Sequence, residues 1–419
     1  MLQDYSNKCC LIIDNGLFVE LAVTMAKSFG KVYYWTPWVG SFPKSNSMLI
    51  GKGIPGVERV DDYWAVKDEV DLWIFPDIYM GGLQEELVAQ GKRVWGSRHG
   101  DEFETNRIVS KKYLKKIGVP IGKYEVIVGL DKLREYLKTN KEKYIKVSTT
   151  RGDFETFKSK NYKLIEPRLD ELEYTLGAKK KIMEFIVEDA IPDAVEIGYD
   201  GFCVDGVFPE HAMCGIEVKD VGYIGFFKEY AKMPKQILDI NAKVAPALKE
   251  YGYKNFFCCE MRITRDGTPW VIDPMTRFGS PPGELVQNMY TNLADILWYG
   301  AEGRCIDPIA EAPFGAELLL HSVWADKNWQ PVEFPAEIRD NLKFRNLTII
   351  DGKYYVVPTS VGLPEIGAVV ATGQTQEKAV NKVKEIAEQV EGFSVETFPD
   401  SMEKAKEEQK KLEEFGIKL

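Results

Sequence analysis

The chain has 419 residues, enough for two or three domains with a substantial core. Its 45% apolar and 28% charged composition excludes a disordered, collagenous or coiled-coil architecture. Lys+Arg 54 against Asp+Glu 64, a net charge of −10, argues against a nucleic-acid binder working by general electrostatic attraction.

No apolar run reaches the roughly 18 residues a membrane-spanning helix needs, so no membrane partner is expected. The opening MLQDYSNKCCLIIDNG lacks the basic region and long apolar core of a secretory signal. The seven cysteines include Cys9-Cys10 and Cys258-Cys259 but no CxxC, which points to a reducing, cytoplasmic setting and small core residues. With three histidines (His99, His211, His321), a zinc enzyme is not expected.

In chain order, Cys9–Asp14 reads as a buried strand, Phe18–Phe29 as a helix and Lys31–Trp35 as a second strand. Asp71–Phe75 and Arg93–Trp95 add two strands, separated by a helix around Leu83–Gln90. This alternation predicts a parallel sheet and an α/β fold. Trp35, Trp38, Trp64, Trp73 and Trp95 are read as core in preference to an acceptor-site lining. No GxGxxG follows the first strand, so no dinucleotide site is expected.

Glu102–Lys116 reads as one amphipathic helix, closed by Gly118 and Pro120. A strand (Tyr124–Val128), a helix (Asp131–Thr139) and a strand (Lys143–Val147) follow, then the polar loop Ser148–Asp153. Ile182–Val187 and Val195–Val204 read as strands and Lys235–Tyr251 as a helix. Asn255–Thr264 and Pro269–Asp273 form a hairpin around Asp266-Gly267. A helix over Gly283–Tyr299 comes next. From about Asp326 the pattern shifts to strands at Tyr354–Pro358 and Gly367–Thr372 and a helix at Gln376–Val390. The tail Ser401–Phe415 reads as a charged helix with a solvated face.

Four features carry chemistry. Lys146 ends an apolar strand; a buried ammonium needs a partner, which is either a salt bridge or a nucleotide phosphate. Hydroxyls, a glycine and backbone N–H groups in Thr149–Asp153 can cover phosphates. In Lys181–Val187, Glu184 can accept from an adenine amino group, and the backbone of Phe185 and Ile186 can pair with the ring edge; an edge-strand glutamate is the plain alternative. Glu196 is placed to meet a ribose or a metal. Glu260 and Asp273 lie on neighbouring strands of the hairpin, where two carboxylates on one face suit Mg²⁺ with phosphate, or else are simply exposed hairpin acids. Arg277 lies on the same face as Met275 and can clamp a phosphoryl or acyl-phosphate oxygen. Arg107 alone is indistinguishable from a surface arginine.

The order and spacing of these features resemble the ATP-grasp superfamily, and within it the phosphoribosylamine–glycine ligase family most. Arg107 stands eleven residues before the Gly of Gly118-Val119-Pro120. Lys146 closes a strand as in that family's "VIK", and Met183-Glu184-Phe185-Ile186 matches its hinge. Glu196 and Asp200 match its ribose-side acids. Glu260 and Asp273, thirteen residues apart, match the metal acids. Met275–Pro281 and Gly367–Thr375 match two further stretches in part. Met275 replaces the usual metal-binding Asn, the phosphate loop lacks a Gly-Lys-Gly run, and Gly215–Met233 lacks the family's Gly-rich substrate loop.

The resemblance implies an ATP-grasp fold in three parts: a Rossmann-like parallel-sheet domain over 1–105, an ATP-grasp domain over 106–325, and a small α+β domain over 326–419. It implies an ATP-dependent carboxylate–amine ligase, glycinamide-forming or with another amine, acting through an acyl phosphate. ATP and Mg²⁺, with Mn²⁺ as a substitute, would be the cofactors. Arg107 and Lys146 would hold phosphates, Glu260 and Asp273 the metal, and Arg277 the acyl phosphate. Small-molecule carboxylate and amine partners and a monomer or homodimer are expected. The alternatives are an ATP-binding module with altered or lost ligase activity, and a carboxylase-like or kinase-like enzyme.

Overall fold

A computed structural model describes residues 3–37, 46–148, 156–358 and 364–419. Trp38 and the whole loop Thr149–Asp153 lie outside them.

The N-terminal strands are β1 (Tyr5–Ile13), β2 (Phe29–Trp35), β3 (Val57–Arg59), β4 (Leu72–Ile74) and β5 (Val94–Trp95). They form a five-stranded sheet in the order β3-β2-β1-β4-β5, parallel at every pairing. The predicted parallel sheet is therefore present. The first helix, α1 (Val19–Met25), is shorter than expected because Phe29 already belongs to β2, and β3 escaped notice. α2 (Gly81–Ala89) covers the other predicted helix. Trp73 and Trp95 are fully buried, as expected of core residues, whereas Trp64 is exposed.

The helix expected over Glu102–Lys116 is two helices, α3 (Glu102–Thr105) and α4 (Arg107–Lys116). Asn106 breaks it: its backbone is non-helical and its side chain accepts from the Val109 N–H, capping α4. A four-stranded antiparallel sheet follows, in the order β6-β9-β7-β8, from β6 (Tyr124–Val128), β7 (Lys143–Val147), β8 (Thr156–Ser159) and β9 (Glu184–Asp189). Helices α5 (Leu130–Thr139) and α6 (Tyr162–Leu176) share a core with it through Leu133, Leu137, Leu169 and Leu172.

The largest sheet has eight strands, in the order β14-β13-β10-β11-β12-β15-β20-β17. Its first members are β10 (Ala194–Val204), β11 (His211–Val218), β12 (Gly222–Glu229), β13 (Lys254–Thr264), β14 (Pro269–Met275) and β15 (Phe314–His321). Helix α7 (Lys235–Glu250) intervenes between β12 and β13. Gly215–Met233, which stands where the resembled family carries its substrate loop, is mostly the β11–β12 hairpin.

Glycines 198, 215, 225 and 315 stand opposite one another on β10, β11, β12 and β15. That stripe lets a helix approach closely: a Cβ at Gly315 would lie 2.6 Å from Leu285 of α8 (Gly283–Met289). The helix expected over Gly283–Tyr299 is α8 followed by α9 (Leu293–Ala301), with Tyr290 in extended geometry between them.

Beyond α9 come β16 (Gln330–Val332), β17 (Leu342–Phe344), β18 (Leu347–Ile350), β19 (Lys353–Val356) and β20 (Glu365–Gly373). β16, β19 and β18 make a small sheet, while β17 and β20 extend the large one. Helix α10 (Gln376–Ala387) is followed by the tail helix α11 (Ser401–Glu414). The tail is not merely a solvated face: Met402, Ala405 and Leu412 are buried, and Met402 closes on Gly222 of β12. Among the described residues no helix is long and apolar enough to cross a membrane.

Candidate active site

Strand alternation brings the site together. On β10, Glu196, Gly198 and Asp200 share one face. Their partners on β13 are Arg262, Glu260 and Cys258, and Glu260 in turn faces Asp273 on β14. The hairpin that the sequence predicted thus sets both carboxylates side by side. The turn carries Gly267 at φ 81°, where a side chain would be strained.

β7 of the smaller sheet meets this face. Lys146 Nζ donates to Asp273 Oδ2 at 2.7 Å and lies 3.3 Å from Glu188 Oε2. Arg107 is 2% exposed; its Nη1 donates to Val147 O at 3.1 Å, and its Nε stands 3.9 Å from Asp273 Oδ1. Arg107 is therefore no surface arginine. One turn further along α4, Lys111 pairs with Glu188. Burial alone would push the Asp273 carboxyl up, but Lys146, Arg107 and Lys111 outweigh it and hold Asp273 well below the usual range. Burial also disfavours the Lys146 ammonium, and Asp273 and Glu188 more than compensate.

A small cavity opens beside these groups, lined by Glu196, Asp200, Glu217, Tyr223, Glu260 and Met275 among others. Burial pushes the Asp200 carboxyl up to about 7, even though Tyr223 Oη donates to it at 2.5 Å. Burial and the nearby Glu260 raise Glu196; burial also raises Glu217, against the pull of Lys219 3.7 Å away. Met275, at the position where the resembled family carries Asn, is 8% exposed and sits against the Arg277 guanidinium, with Sδ 4.0 Å from Nη2.

Arg277 is held from α3. Glu104 accepts from Arg277 Nε at 2.9 Å and from the Thr276 N–H at 3.0 Å. Asp77, just past β4, is 4.0 Å from the same guanidinium and accepts from Asn15 Nδ2 at 3.2 Å. Arg277 therefore faces the carboxyl ends of β1 and β4, the crevice where open parallel sheets bind ligands.

The expected ring-binding strand is less favourable. Glu184 is exposed at the end of β9, but Phe185 and Ile186 are buried in mid-sheet. β9 is flanked by β6 on one side and β7 on the other, so the ladders take up the main-chain groups of Phe185 and Ile186. This strand does not offer the ring-edge pairing expected of them.

Sequence reading missed Glu104, Lys111 and Glu188. An acid or base on a helix surface or a strand end carries no mark of what it will touch. Only Glu188, directly after the apolar run Phe185–Val187, alternates in phase with Glu184 and Ile186 toward the same face as Lys146.

The donor set fits a magnesium ion. Glu260 and Asp273 supply two carboxylates, and Mg²⁺ is usually held by one or two carboxylates together with substrate phosphates. Among the described residues no group of three or more metal-ligating side chains stands together.

No protein-family profile matches the chain. In sequence it is similar to phosphoribosylamine–glycine ligase of Thermotoga maritima, 22% identical over 338 residues, covering 75% of this chain and 82% of that protein. The crystal structure of phosphoribosylamine–glycine ligase from the same organism superposes with a TM-score of 0.65 at 16% identity, covering 93% of this chain and 98% of that one. The biotin carboxylase domain of Hydrogenobacter thermophilus 2-oxoglutarate carboxylase gives a TM-score of 0.65 at 13% identity, covering 94% and 92%. L-Amino acid ligase from Bacillus licheniformis gives 0.60 at 15% identity, covering 93% and 99%. The chain has the ATP-grasp fold and is similar in sequence to phosphoribosylamine–glycine ligase.

Proposed function

We propose that the protein is an ATP-dependent carboxylate–amine ligase that forms an amide through an acyl phosphate. The observation that carries this reading is the convergence of Lys146 and Arg107 on Asp273, opposite Glu260. Two buried cations, one from the four-stranded sheet and one from α4, facing two carboxylates of the eight-stranded sheet are the groups needed to hold a nucleotide triphosphate with its metal. The relatives named above, two of them ligases by name, support the same reaction class.

In this reading ATP lies between the four-stranded and the eight-stranded sheet. Lys146 and Arg107 neutralise phosphate oxygens, and Glu196 faces the ribose side. Glu260 and Asp273 hold Mg²⁺, which when bound neutralises charge on the transferring phosphoryl group. A substrate carboxylate oxygen attacks the γ-phosphorus; the bond to the β-phosphate oxygen breaks, giving ADP and an acyl phosphate. Arg277, anchored by Glu104, stabilises the acyl-phosphate oxygens. The amine then attacks the acyl carbon, phosphate leaves with the bonding pair, and the nitrogen loses a proton. The chain's contribution is positioning and charge neutralisation, with no side-chain nucleophile.

The test is ADP release from Mg·ATP with glycine and with pools of other amino acids, each with and without phosphoribosylamine generated in place. Turnover requiring glycine and phosphoribosylamine together supports the glycinamide-forming reaction. Turnover with another pair supports a ligase of different specificity. Met275 favours a second reading, a nucleotide-binding module with lost chemistry, whose signature is Mg·ATP binding without turnover.

A further inference from the structure

A ligase of this kind must hold its amine near Arg277, and the nearest unexplained polar cluster begins three residues on. Ser280 donates to Glu284 Oε1 and accepts from Arg345 Nη2 at 2.7 Å. Arg345, 7% exposed, also stands 3.8 Å from Glu284 Oε1 and 3.6 Å from Glu365 Oε2. Glu317 on β15 is fully buried, and neither of its oxygens makes a hydrogen bond of normal geometry; the Leu285 amide is the one backbone group that leans toward it. Glu284 is 3% exposed and its Oε2 has no hydrogen-bond partner.

The cluster lies behind the wall of the cavity already described, which Glu217, Tyr223, Pro281 and Pro282 help to line. Glu317 faces Tyr223 across the β12–β15 ladder, and Tyr223 faces Glu217 across the β11–β12 ladder, so one row runs from the cavity wall into the cluster. Along it, among the described residues, Glu217, Glu284, Glu317 and Glu365 stand against Arg345 and Lys219. A buried carboxyl without donors is costly, and an apolar side chain would fill the same space between β15 and α8. Arg345 is already surrounded by Ser280, Glu284 and Glu365, so it offers little to an incoming anion. Burial, then Glu284 beside it, push Glu317 far above the usual carboxylate range.

Resting on the ligase reading, we propose that Glu284 and Glu317 seat the amine substrate, with Arg345 holding Glu284 in place, and that this substrate carries a second cationic group and no phosphate. A diamine, or an amino compound with a basic side chain, is the class that fits. One nitrogen is held as an ammonium by the surplus carboxylates while the other, deprotonated, reaches the acyl carbon. A phosphorylated amine would bring its dianion against the same carboxylates.

The experiment uses the full chain without nucleotide and three probes at fixed ionic strength: 1,4-diaminobutane, butylamine and phosphoethanolamine. Binding is read by calorimetry and thermal shift. The expected order is diaminobutane, then butylamine, then phosphoethanolamine, with at least tenfold between first and last. Glu317→Gln should weaken diaminobutane at least tenfold while leaving Mg·ATP affinity unchanged; Glu284→Gln serves the same purpose should Glu317→Gln melt early. Phosphoethanolamine binding as tightly as the diamine, or diamine binding indifferent to both variants, overturns the proposal. A separate titration with Mg·ATP tests the ligase reading: absence of nucleotide binding would end that reading, while the amine series still decides the cluster.

Discussion

Lys146 Nζ and Asp273 Oδ2 lie 2.7 Å apart although 127 positions separate them in the chain. The pair ties the four-stranded sheet to the eight-stranded one, and it joins a residue proposed for phosphate to one proposed for metal. In the proposed reading, Mg·ATP would reorganise a contact that already exists: the ammonium would pass from carboxylate to phosphate as the carboxylate passes from ammonium to metal. Asp273→Asn removes the charge needed for the second half of that exchange. ADP release should fall to background in this variant. The fold should survive, because Lys146 keeps Glu188 at 3.3 Å. Normal turnover in a folded Asp273→Asn protein would remove Asp273 from the site.

Lys146→Met tests the other half. The methionine fills the stem's space, and Arg107 remains 3.9 Å from Asp273 to balance its charge. Mg·ATP affinity should drop about tenfold or more, which corresponds to roughly 1.4 kcal/mol. Titration calorimetry checks it, with circular dichroism confirming the fold. An unchanged dissociation constant would mean that Lys146 is only a structural ion-pair partner.

Glu104 is the third case. It touches no proposed substrate atom, but it fixes Arg277 through Nε at 2.9 Å and the Thr276 amide at 3.0 Å. Glu104→Gln keeps the shape and loses the charge, so Arg277 is aimed less well. Turnover should fall by one to two orders of magnitude while the KM for ATP moves less than threefold, the split expected of a positioning residue acting on the transition state. If KM for ATP rises in step with the loss of turnover, Glu104 shapes the nucleotide pocket instead.

How far the sequence disclosed this site follows from periodicity. Lys146, Glu196, Glu260 and Asp273 were readable because each is a charge inside an apolar strand, where alternation alone assigns a face. Arg107 needed the resemblance, since helix α4 gives no local sign that its first residue is buried against β7. Glu317, an acid inside the apolar run Phe314–Leu320, had the same strand signature as Lys146 and was passed over with its whole strand. The β11–β12 hairpin was obscured by Gly215, Gly222 and Gly225, which lower strand propensity and serve instead the close approach of Tyr223, Met402 and Leu285 of α8 respectively. The breaks at Asn106 and Tyr290 were hidden inside continuous helical patterns, because capping geometry is decided by tertiary contacts that periodicity does not register.

Lys343 gives a stability prediction independent of the proposed chemistry. It is 4% exposed on β17, and its Nζ donates to Asp340 O at 2.8 Å. Burial lowers its pKa from 10.5 to about 8, with Glu20 pulling the other way and Arg339 and Lys27 adding to the drop. The unfolded chain takes up this proton below about pH 10.5, the folded chain only below about pH 8. As pH falls through that window the unfolded state binds the proton first, so stability falls, and below pH 8 the loss is complete. At about 1.4 kcal/mol per unit the cost is somewhat more than about 3 kcal/mol. Lys343→Met has no proton to lose. It should therefore be more stable than the parent at pH 7, with the advantage shrinking toward pH 10.5, where the neutral lysine keeps its bond to Asp340. Urea unfolding at pH 7 and pH 10 measures the difference. A pH-independent gap between parent and variant would show that Lys343 stays charged in the folded protein, held by Glu20.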